Sequence, residues 1–194
     1  MSQLARSEGS GSSTSLRRWQ ERDRPILAYG LMLFAAVSLV LNYFIKFPTL
    51  PDETAASFRE YLGKRLSLHI ETDEAKILER YLEAGGLFFP LQILDSRMYT
   101  LKGGRVHRVL NRKAGWIVYQ NAEKHQFVFQ VHKGGIEDLP ASTEIRWRGD
   151  RSYYIYLRRG TTIVFWEEED LCCALISDAD PETAIRLAQA SARI

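Results

Sequence analysis

The sequence predicts an α+β fold, in which one N-terminal transmembrane helix is followed by a curved antiparallel sheet flanked by helices. Two observations lead to this prediction. An uncharged apolar run covers residues 25–45, and short β-like segments separated by turns follow one another between residues 96 and 176. The composition is that of a globular protein: 194 residues, 45% hydrophobic, 26% charged, with a net charge of +2. These values exclude a wholly disordered chain, a collagen-like chain and a strongly basic nucleic-acid-binding protein.

The apolar run 25–45 has the length of a membrane span. At a helical rise of about 1.5 Å per residue it would measure ~31 Å, close to the roughly 30 Å of bilayer hydrocarbon. A cleaved signal peptide is the alternative, but its apolar region is about 7–15 residues long and ends in a small-residue cleavage site. The end of the run and the residues that follow it, FIKFPTLP, contain no such site. The sequence therefore favours a retained single-pass anchor.

Charge and proline content divide the rest of the chain. Residues 1–24 carry five arginines and three acidic residues, so the positive-inside rule predicts a flexible cytoplasmic tail there. Prolines predict an extended linker over 46–56, and an extracytoplasmic α+β domain is predicted for 57–194. In this arrangement the chain lies in a bacterial inner membrane with its N-terminus in the cytoplasm and its C-terminal domain in the periplasm.

Capping residues and apolar side chains at helical spacing predict three further helices. One runs from Asp52 or Thr54 to about Leu66, one from Thr72 or Asp73 to Gly85-Gly86, and one starts at Pro181 after Asp178 or Asp180.

Alternating or dense apolar segments predict the strands. They are SRMYTL, RVHRVL, WIVYQ, HQFVFQV, IRWR, SYYIYLR, TTIVFW and LCCALI. The pair Gly103-Gly104 is interpreted as a turn between the first two. Because strands joined by short turns pair antiparallel, the sheet is expected to be antiparallel.

The adjacent cysteines Cys172 and Cys173 fall within a predicted strand. Neighbouring side chains on a strand point to opposite faces, so the two thiols do not easily share a metal ion. Burial in the core is the favoured interpretation, with an intermolecular or vicinal disulfide and a metal site as alternatives.

Other chemistry-bearing residues do not form a recognisable catalytic motif. The sequence contains no HExxH, CxxC, GxSxG, GxGxxG or P-loop pattern. The acidic run Glu167–Asp170 could hold a hard cation, but a solvated hairpin turn is the favoured interpretation. We therefore predict a non-enzymatic protein without catalytic residues, metal ligands or cofactors.

Arginines and aromatic residues are interleaved between residues 146 and 158. This composition is typical of protein interfaces, and nucleic acid is not expected as the partner because the predicted outer domain has no net charge. The predicted protein-interaction surface consists of Arg146, Trp147, Arg148, Tyr154, Tyr156 and Arg158.

The outer region resembles the extracytoplasmic domain of transmembrane anti-sigma factors. Three features of that family have counterparts in order along this chain: a Leu-x-Gly-Gly-Arg turn, a strand ending in Val-Tyr and a strand of alternating aromatic residues. The matching residues are Leu101, Gly103, Gly104 and Arg105, then Val118 and Tyr119, then Phe127, Val128 and Phe129. The later segments TTIVFWEEEDLCCALISD and PETAIRLAQA resemble the family's closing hairpin and last helix. The resemblance implies a structural turn at Gly103, Gly104 and Arg105.

The resemblance also implies a role in signal sensing or regulatory protein binding. The sequence departs from the family because residues 1–24 contain no His or Cys that could form its cytoplasmic zinc-binding domain. The first hypothesis is thus a non-enzymatic single-pass membrane protein that binds a protein partner in the membrane or periplasm. The alternatives are an accessory or structural subunit of a membrane complex and a metal or redox protein using Cys172, Cys173 and the histidines.

Overall fold

The structure is a computed structural model that describes residues 29, 32–35, 37–38, 48–89, 94 and 98–191. The residues from Pro48 onward belong to one compact unit. Its elements are α1 (Leu50–Leu62), β1 (Ile70–Glu71), α2 (Ala75–Ala84), β2 (Tyr99–Val109), β3 (Arg112–Asn121), β4 (Gln126–Lys133), β5 (Glu144–Arg148), β6 (Arg151–Arg158), β7 (Thr161–Glu168), β8 (Leu171–Ser177) and α3 (Pro181–Ser191).

The eight strands form a single sheet in the order β1-β2-β3-β4-β8-β7-β6-β5. All seven neighbouring pairs are antiparallel. Six of these pairs join strands that are consecutive in the chain, and the pairing of β4 with β8 is the exception. That long-range pairing joins two sets of four strands and leaves β1 and β5 at opposite edges.

Helices cover both faces of the sheet. Phe58 of α1 packs with Trp116 and Phe165 on one face, whereas Leu78 of α2 and Ile185 of α3 pack with a second apolar cluster on the other. The central strands are buried on both sides, as in the unbroken buried stretch from Ala114 to Tyr119. This explains why segments such as WIVY and IVFW are apolar at every position instead of alternating.

The predicted fold class is wrong. Most of the predicted span 25–45, and all of the predicted tail 1–24, lie outside the described residues. Among those that are described, no helix is long and apolar enough to cross a membrane. One eight-stranded antiparallel sheet, with three short helices against it, makes up most of the described unit. The transmembrane helix and the membrane-bound, anti-sigma-like description attached to it therefore have no support in the structure.

Helix α1 begins at Leu50, inside the segment 46–56 that was predicted to be an extended linker. The carboxylate of Asp52 accepts hydrogen bonds from the Thr49 backbone N–H at 3.3 Å and from the Thr49 hydroxyl at 2.6 Å. Pro51 lies in the first turn, where a missing N–H leaves no hydrogen bond unmade. The proline that suggested an extended chain is thus compatible with the start of the helix.

The structural turn predicted at Gly103, Gly104 and Arg105 is also wrong. All three residues lie within strand β2, and the register between β2 and β3 shifts between Leu101 and Gly103, as at a β-bulge. Gly103 has φ of +127°, and a Cβ atom there would be 2.1 Å from the Ile70 carbonyl oxygen. The glycine is needed for the close approach of β1 and not for a reversal of the chain.

Candidate functional site

Strand β5 lies at the outer edge of the sheet and pairs only with β6 among the strands that the structure describes. It carries three of the six residues predicted to form a protein-interaction surface: Arg146, Trp147 and Arg148. Because side chains alternate along a strand, β5 presents two different rows. Glu144, Arg146 and Arg148 form one row, and Ile145 and Trp147 form the other. We call these five residues the β5 surface.

The charged row is held by residues of α3. Arg146 Nε lies 2.6 Å from Glu144 Oε1, and Arg146 Nη1 lies 2.6 Å from Glu182 Oε2. These two carboxylates, with Glu144 the stronger, raise the pKa of the Arg146 guanidinium above its ordinary value. Arg148 Nη1 donates a hydrogen bond of 2.8 Å to Gln189 Oε1. The row is therefore ordered before any partner arrives, although it remains open to solvent.

The apolar row is exposed on the opposite face. Trp147 is 70% exposed and Ile145 is 47% exposed. Tyr154 lies directly across from Ile145 on β6 and is half-buried against the α1-side core. An exposed tryptophan beside an exposed isoleucine, on an edge strand, is a common starting point for a protein contact.

The other two predicted surface residues lie elsewhere. Tyr156 is fully buried, and its hydroxyl donates a 2.5 Å hydrogen bond to the Pro140 carbonyl oxygen. Arg158 Nε lies 2.8 Å from Asp52 Oδ1 of α1, and its guanidinium carbon stands 5.5 Å from the centre of the Tyr156 ring. The interpretation of Tyr156 as a surface residue was wrong because the α1-side core extends to β6. Arg158 serves to hold α1 on the sheet.

The family-motif residues lie near the opposite edge. Arg105 Nη1 donates a hydrogen bond of 2.9 Å to the Ser67 carbonyl oxygen. Gly103 and Gly104 pair with Glu71 and Ile70 of β1. These residues thus support the β1 edge and do not belong to the β5 surface.

The cysteines are buried on opposite faces of the sheet, as the alternation of side chains predicted. Cys172 packs in the α1-side cluster and Cys173 in the cluster beneath α2 and α3. Burial raises the pKa of Cys172 to about 12 and that of Cys173 further. Both thiols therefore stay protonated and unreactive at neutral pH.

The four histidines lie in different parts of the described unit. Their positions bear on the alternative hypothesis of a metal protein that uses the cysteines and the histidines. On the α1 side, His107 is half-buried beside Trp116 and His132 is buried. His69 Nδ1 lies 2.9 Å from the Tyr81 hydroxyl, and the His125 ring lies near Asp178. Within the part of the chain that the structure describes, no three His, Cys, Asp or Glu residues come close enough to hold a metal ion.

The acidic run forms the end of β7 and the turn before β8. Its three glutamates, Glu167 to Glu169, line an open cleft of about 340 Å³ together with Asp150, Arg151 and Ser152. Arg151 Nη2 lies 3.3 Å from Glu168 Oε1, and Lys133 Nζ lies 3.7 Å from Asp170 Oδ2, so two side chains of the run are already paired. The arrangement corresponds to the solvated hairpin turn favoured from the sequence.

Sequence reasoning missed Glu144, Ile145, Glu182 and Gln189. The predicted strand IRWR contained Ile145, and its alternation of apolar and charged residues was a signal for that side chain. Glu144 was assigned to the preceding loop, although it is the first residue of β5. Nothing local pointed to Glu182 or Gln189, because they are 36 and 41 residues away from the arginines that they bind.

Comparisons with known proteins assign no function to the β5 surface. No family model matches the chain, and no curated protein matches it. A crystal structure of a GTP binding regulator from Thermotoga maritima is similar to 47% of this chain and 76% of its own, at 13% identity and a TM-score of 0.37. A similarity this weak carries neither fold nor function across. None of these comparisons supports the resemblance to anti-sigma factors.

Proposed function

We propose that this chain is a non-enzymatic protein-binding module and that its partner binds at the β5 surface. The observation that carries the proposal is the exposed pair Ile145 and Trp147 on a strand whose outer edge no described strand occupies. The periplasmic location and the regulatory role expected from the sequence stay predictions, and the proposal does not depend on them.

The backbone of β5 favours the addition of a strand. An edge strand presents unpaired N–H and C=O groups, which another chain can satisfy by extending the sheet. Natural proteins usually protect such edges by making them very short or by covering them. Strand β5 has five residues, and Gly149 reverses the chain immediately after it with φ of +63°. The outer edge of β5 therefore offers five consecutive residues for pairing.

The side chains of β5 favour a stable contact. Tryptophan and arginine are enriched among residues that dominate binding energy. Arg146 is held by two carboxylates and Arg148 by the Gln189 amide. Since these long side chains are ordered beforehand, less conformational entropy is lost on binding than with free arginines.

The non-enzymatic part of the proposal is supported by the state of the reactive groups. The two cysteine thiols are buried, and their raised pKa values keep them protonated. Strand β5 itself offers arginines whose hydrogen bonds are made to carboxylates and an amide, which suits recognition better than proton transfer.

Site-specific photo-crosslinking in the native cells tests the proposal. Trp147 is replaced by p-benzoylphenylalanine in the full chain, and irradiated samples are analysed by mass spectrometry. We expect one discrete covalent adduct at this position. The matched control places the same residue at Phe88, an aromatic side chain outside the β5 surface that is 80% exposed. Absence of an adduct at Trp147, or the same adducts at both positions, would contradict the proposal.

A further inference from the structure

We propose that the partner of the β5 surface is a second copy of this chain, bound through antiparallel pairing of β5 with β5 about a two-fold axis at Arg146. This inference rests on the proposed function and adds the identity of the partner. Such an interface is isologous, so each copy contributes the same five residues.

The pairing register follows from the sequence of β5. A two-fold axis at Arg146 places Glu144 opposite Arg148 of the second copy, and Arg148 opposite its Glu144. Oppositely charged residues directly across an antiparallel pair stabilise it. Both copies keep the charged row on the α3 side, because a two-fold axis perpendicular to the sheet preserves its faces.

At the centre of the pairing, Arg146 faces Arg146 of the second copy. Each of these guanidinium groups is already bound at 2.6 Å by Glu144 and at 2.6 Å by Glu182 of its own chain. Together with Glu182 of α3, the charged row of each copy has two acidic and two basic side chains, and their charges sum to zero. The central arginines therefore meet as neutralised groups and not as bare charges.

On the α1 side, the same register places Ile145 opposite Trp147 of the second copy, and the reverse. These are the two exposed apolar residues of the strand. Aliphatic–aromatic pairs across strands contribute favourably. One register thus covers all the exposed apolar side chains of β5.

Other antiparallel registers lose this complementarity. With the axis at Trp147, Arg146 faces Arg148 and Ile145 faces Gly149. With the axis at Ile145, Glu144 faces Arg146, but Trp147 faces Thr143 and Arg148 faces Ser142. Pairing about Arg146 alone matches both the charges and the apolar residues.

Charge-swapped variants of the full chain test this inference by sedimentation velocity. The wild type is expected to dimerise. Glu144→Arg and Arg148→Glu are each expected to weaken self-association by roughly tenfold or more, since each places like charges opposite one another. A mixture of the two variants is expected to regain dimers as heterodimers, because every introduced charge then faces its opposite.

Two further variants serve as controls for the charge-swap experiment. Glu169→Arg, in the exposed turn between β7 and β8, makes the same charge change away from β5 and is expected to dimerise like the wild type. Trp147→Glu alters only an exposed side chain and is expected to give monomers even if a charge swap disturbs α3. Circular dichroism establishes that each variant is folded.

A wild type that stays monomeric up to about 1 mM overturns the inference. So does a mixture of Glu144→Arg and Arg148→Glu that forms no heterodimers while the wild type forms dimers. An adduct at Trp147 with a different protein, together with a monomeric wild type, overturns the second copy as the partner and leaves the proposed function standing. If no crosslinked adduct forms at Trp147, both the proposed function and the inference of a second copy are contradicted.

Discussion

The two edges of the sheet are built differently. At one edge, β1 contributes only Ile70 and Glu71, and the neighbouring loop is tied to the sheet by the hydrogen bond from Arg105 to Ser67. At the other edge, β5 extends over five residues and exposes Ile145 and Trp147. A short edge offers little to a foreign strand, whereas a longer edge with exposed apolar side chains invites pairing. The same sheet therefore protects one edge and presents the other.

The protected edge depends on glycine. Gly103 and Gly104 are buried in β2, and a Cβ on Gly104 would lie 2.4 Å from the Trp116 carbonyl oxygen. Beneath these strands, Trp116 Nε1 donates a hydrogen bond of 3.0 Å to Gln130 Oε1. At the β5 edge the comparable residues, Gly149 and Trp147, are open to solvent. Substituting a tryptophan and a glycine at each edge, and measuring the stability of each variant, therefore compares the two edges directly.

The largest expected effect comes from the two tryptophans. Trp116→Ala removes a fully buried ring and its hydrogen bond to Gln130, and we expect it to lower the free energy of unfolding by about 3–5 kcal/mol. Trp147→Ala removes a ring that is 70% exposed and should change that free energy by no more than about 0.5 kcal/mol. Urea unfolding of both variants, at a concentration low enough for monomers, measures the difference. Equal losses would mean that the β5 edge is part of the core.

The next effect separates the two glycines. Gly103→Ala forces a Cβ against the Ile70 carbonyl oxygen at a φ of +127°, and we expect a loss of about 2–4 kcal/mol. Gly149 also has a positive φ, of +63°, but no atom lies within 4 Å of the added Cβ. Gly149→Ala is therefore expected to cost only about 1 kcal/mol. Thermal unfolding followed by circular dichroism compares the two, and hydrogen exchange at β1 shows whether that strand detaches.

The smallest expected effect is a dependence of the free energy of unfolding on pH, and it comes from His107 of β2 and His132 of β4. Burial, with a smaller contribution from Arg105, lowers the pKa of His107 from 6.5 to about 4. Between pH 6.5 and pH 4 the unfolded chain therefore binds more protons at this residue than the folded chain does. The contribution of neutral His107 to the free energy of unfolding is present above pH 6.5 and is lost as the pH drops toward 4. At pH 5 the loss is about 2 kcal/mol. Burial also lowers the pKa of His132, which adds in the same direction.

His107→Gln should flatten this pH dependence in part, leaving the contribution of His132, when urea midpoints are measured from pH 7 to pH 4. Trp147→Ala is the control at the other edge, and its profile should run parallel to that of the wild type. A His107→Gln profile as steep as the wild type would contradict the assignment of this pH dependence to His107.

Several elements could be predicted from the sequence because their signals are local. The last helix begins at Pro181, and its Thr183 N–H donates to Asp180 Oδ1 at 3.0 Å, in agreement with the capping residue that was proposed. Helix α2 ends at Ala84 and is capped by Gly85, the first residue of the predicted stop Gly85-Gly86. Local signals misled where one residue type serves two purposes. Gly103 indicated a turn but provides space for β1, and Pro51 indicated an extended chain but lies in the first turn of α1.

The candidate site was predicted only in part for the same reason. Arg146, Trp147 and Arg148 are adjacent in the chain, so their composition was visible. Tyr156 belongs to the same segment of interleaved arginines and aromatic residues, but its side chain is buried. Its burial depends on α1 and on the loop that carries Pro140, which no pattern within β6 reveals.

The sequence by itself determined which side chains share a face of a strand, because the period of a strand is two wherever the strand lies. Cys172 and Cys173 were assigned to opposite faces on this ground. The same alternation separates Arg146 from Trp147, although both were predicted to belong to one surface. Only the tertiary structure decided which strand stands at the edge and which helix covers it. The pairing of β4 with β8, about 45 residues apart in the chain, leaves β5 outermost, and the fold of α3 brings Glu182 to Arg146. Contacts over such distances follow from the packing of the whole sheet, and no local pattern of residues encodes them.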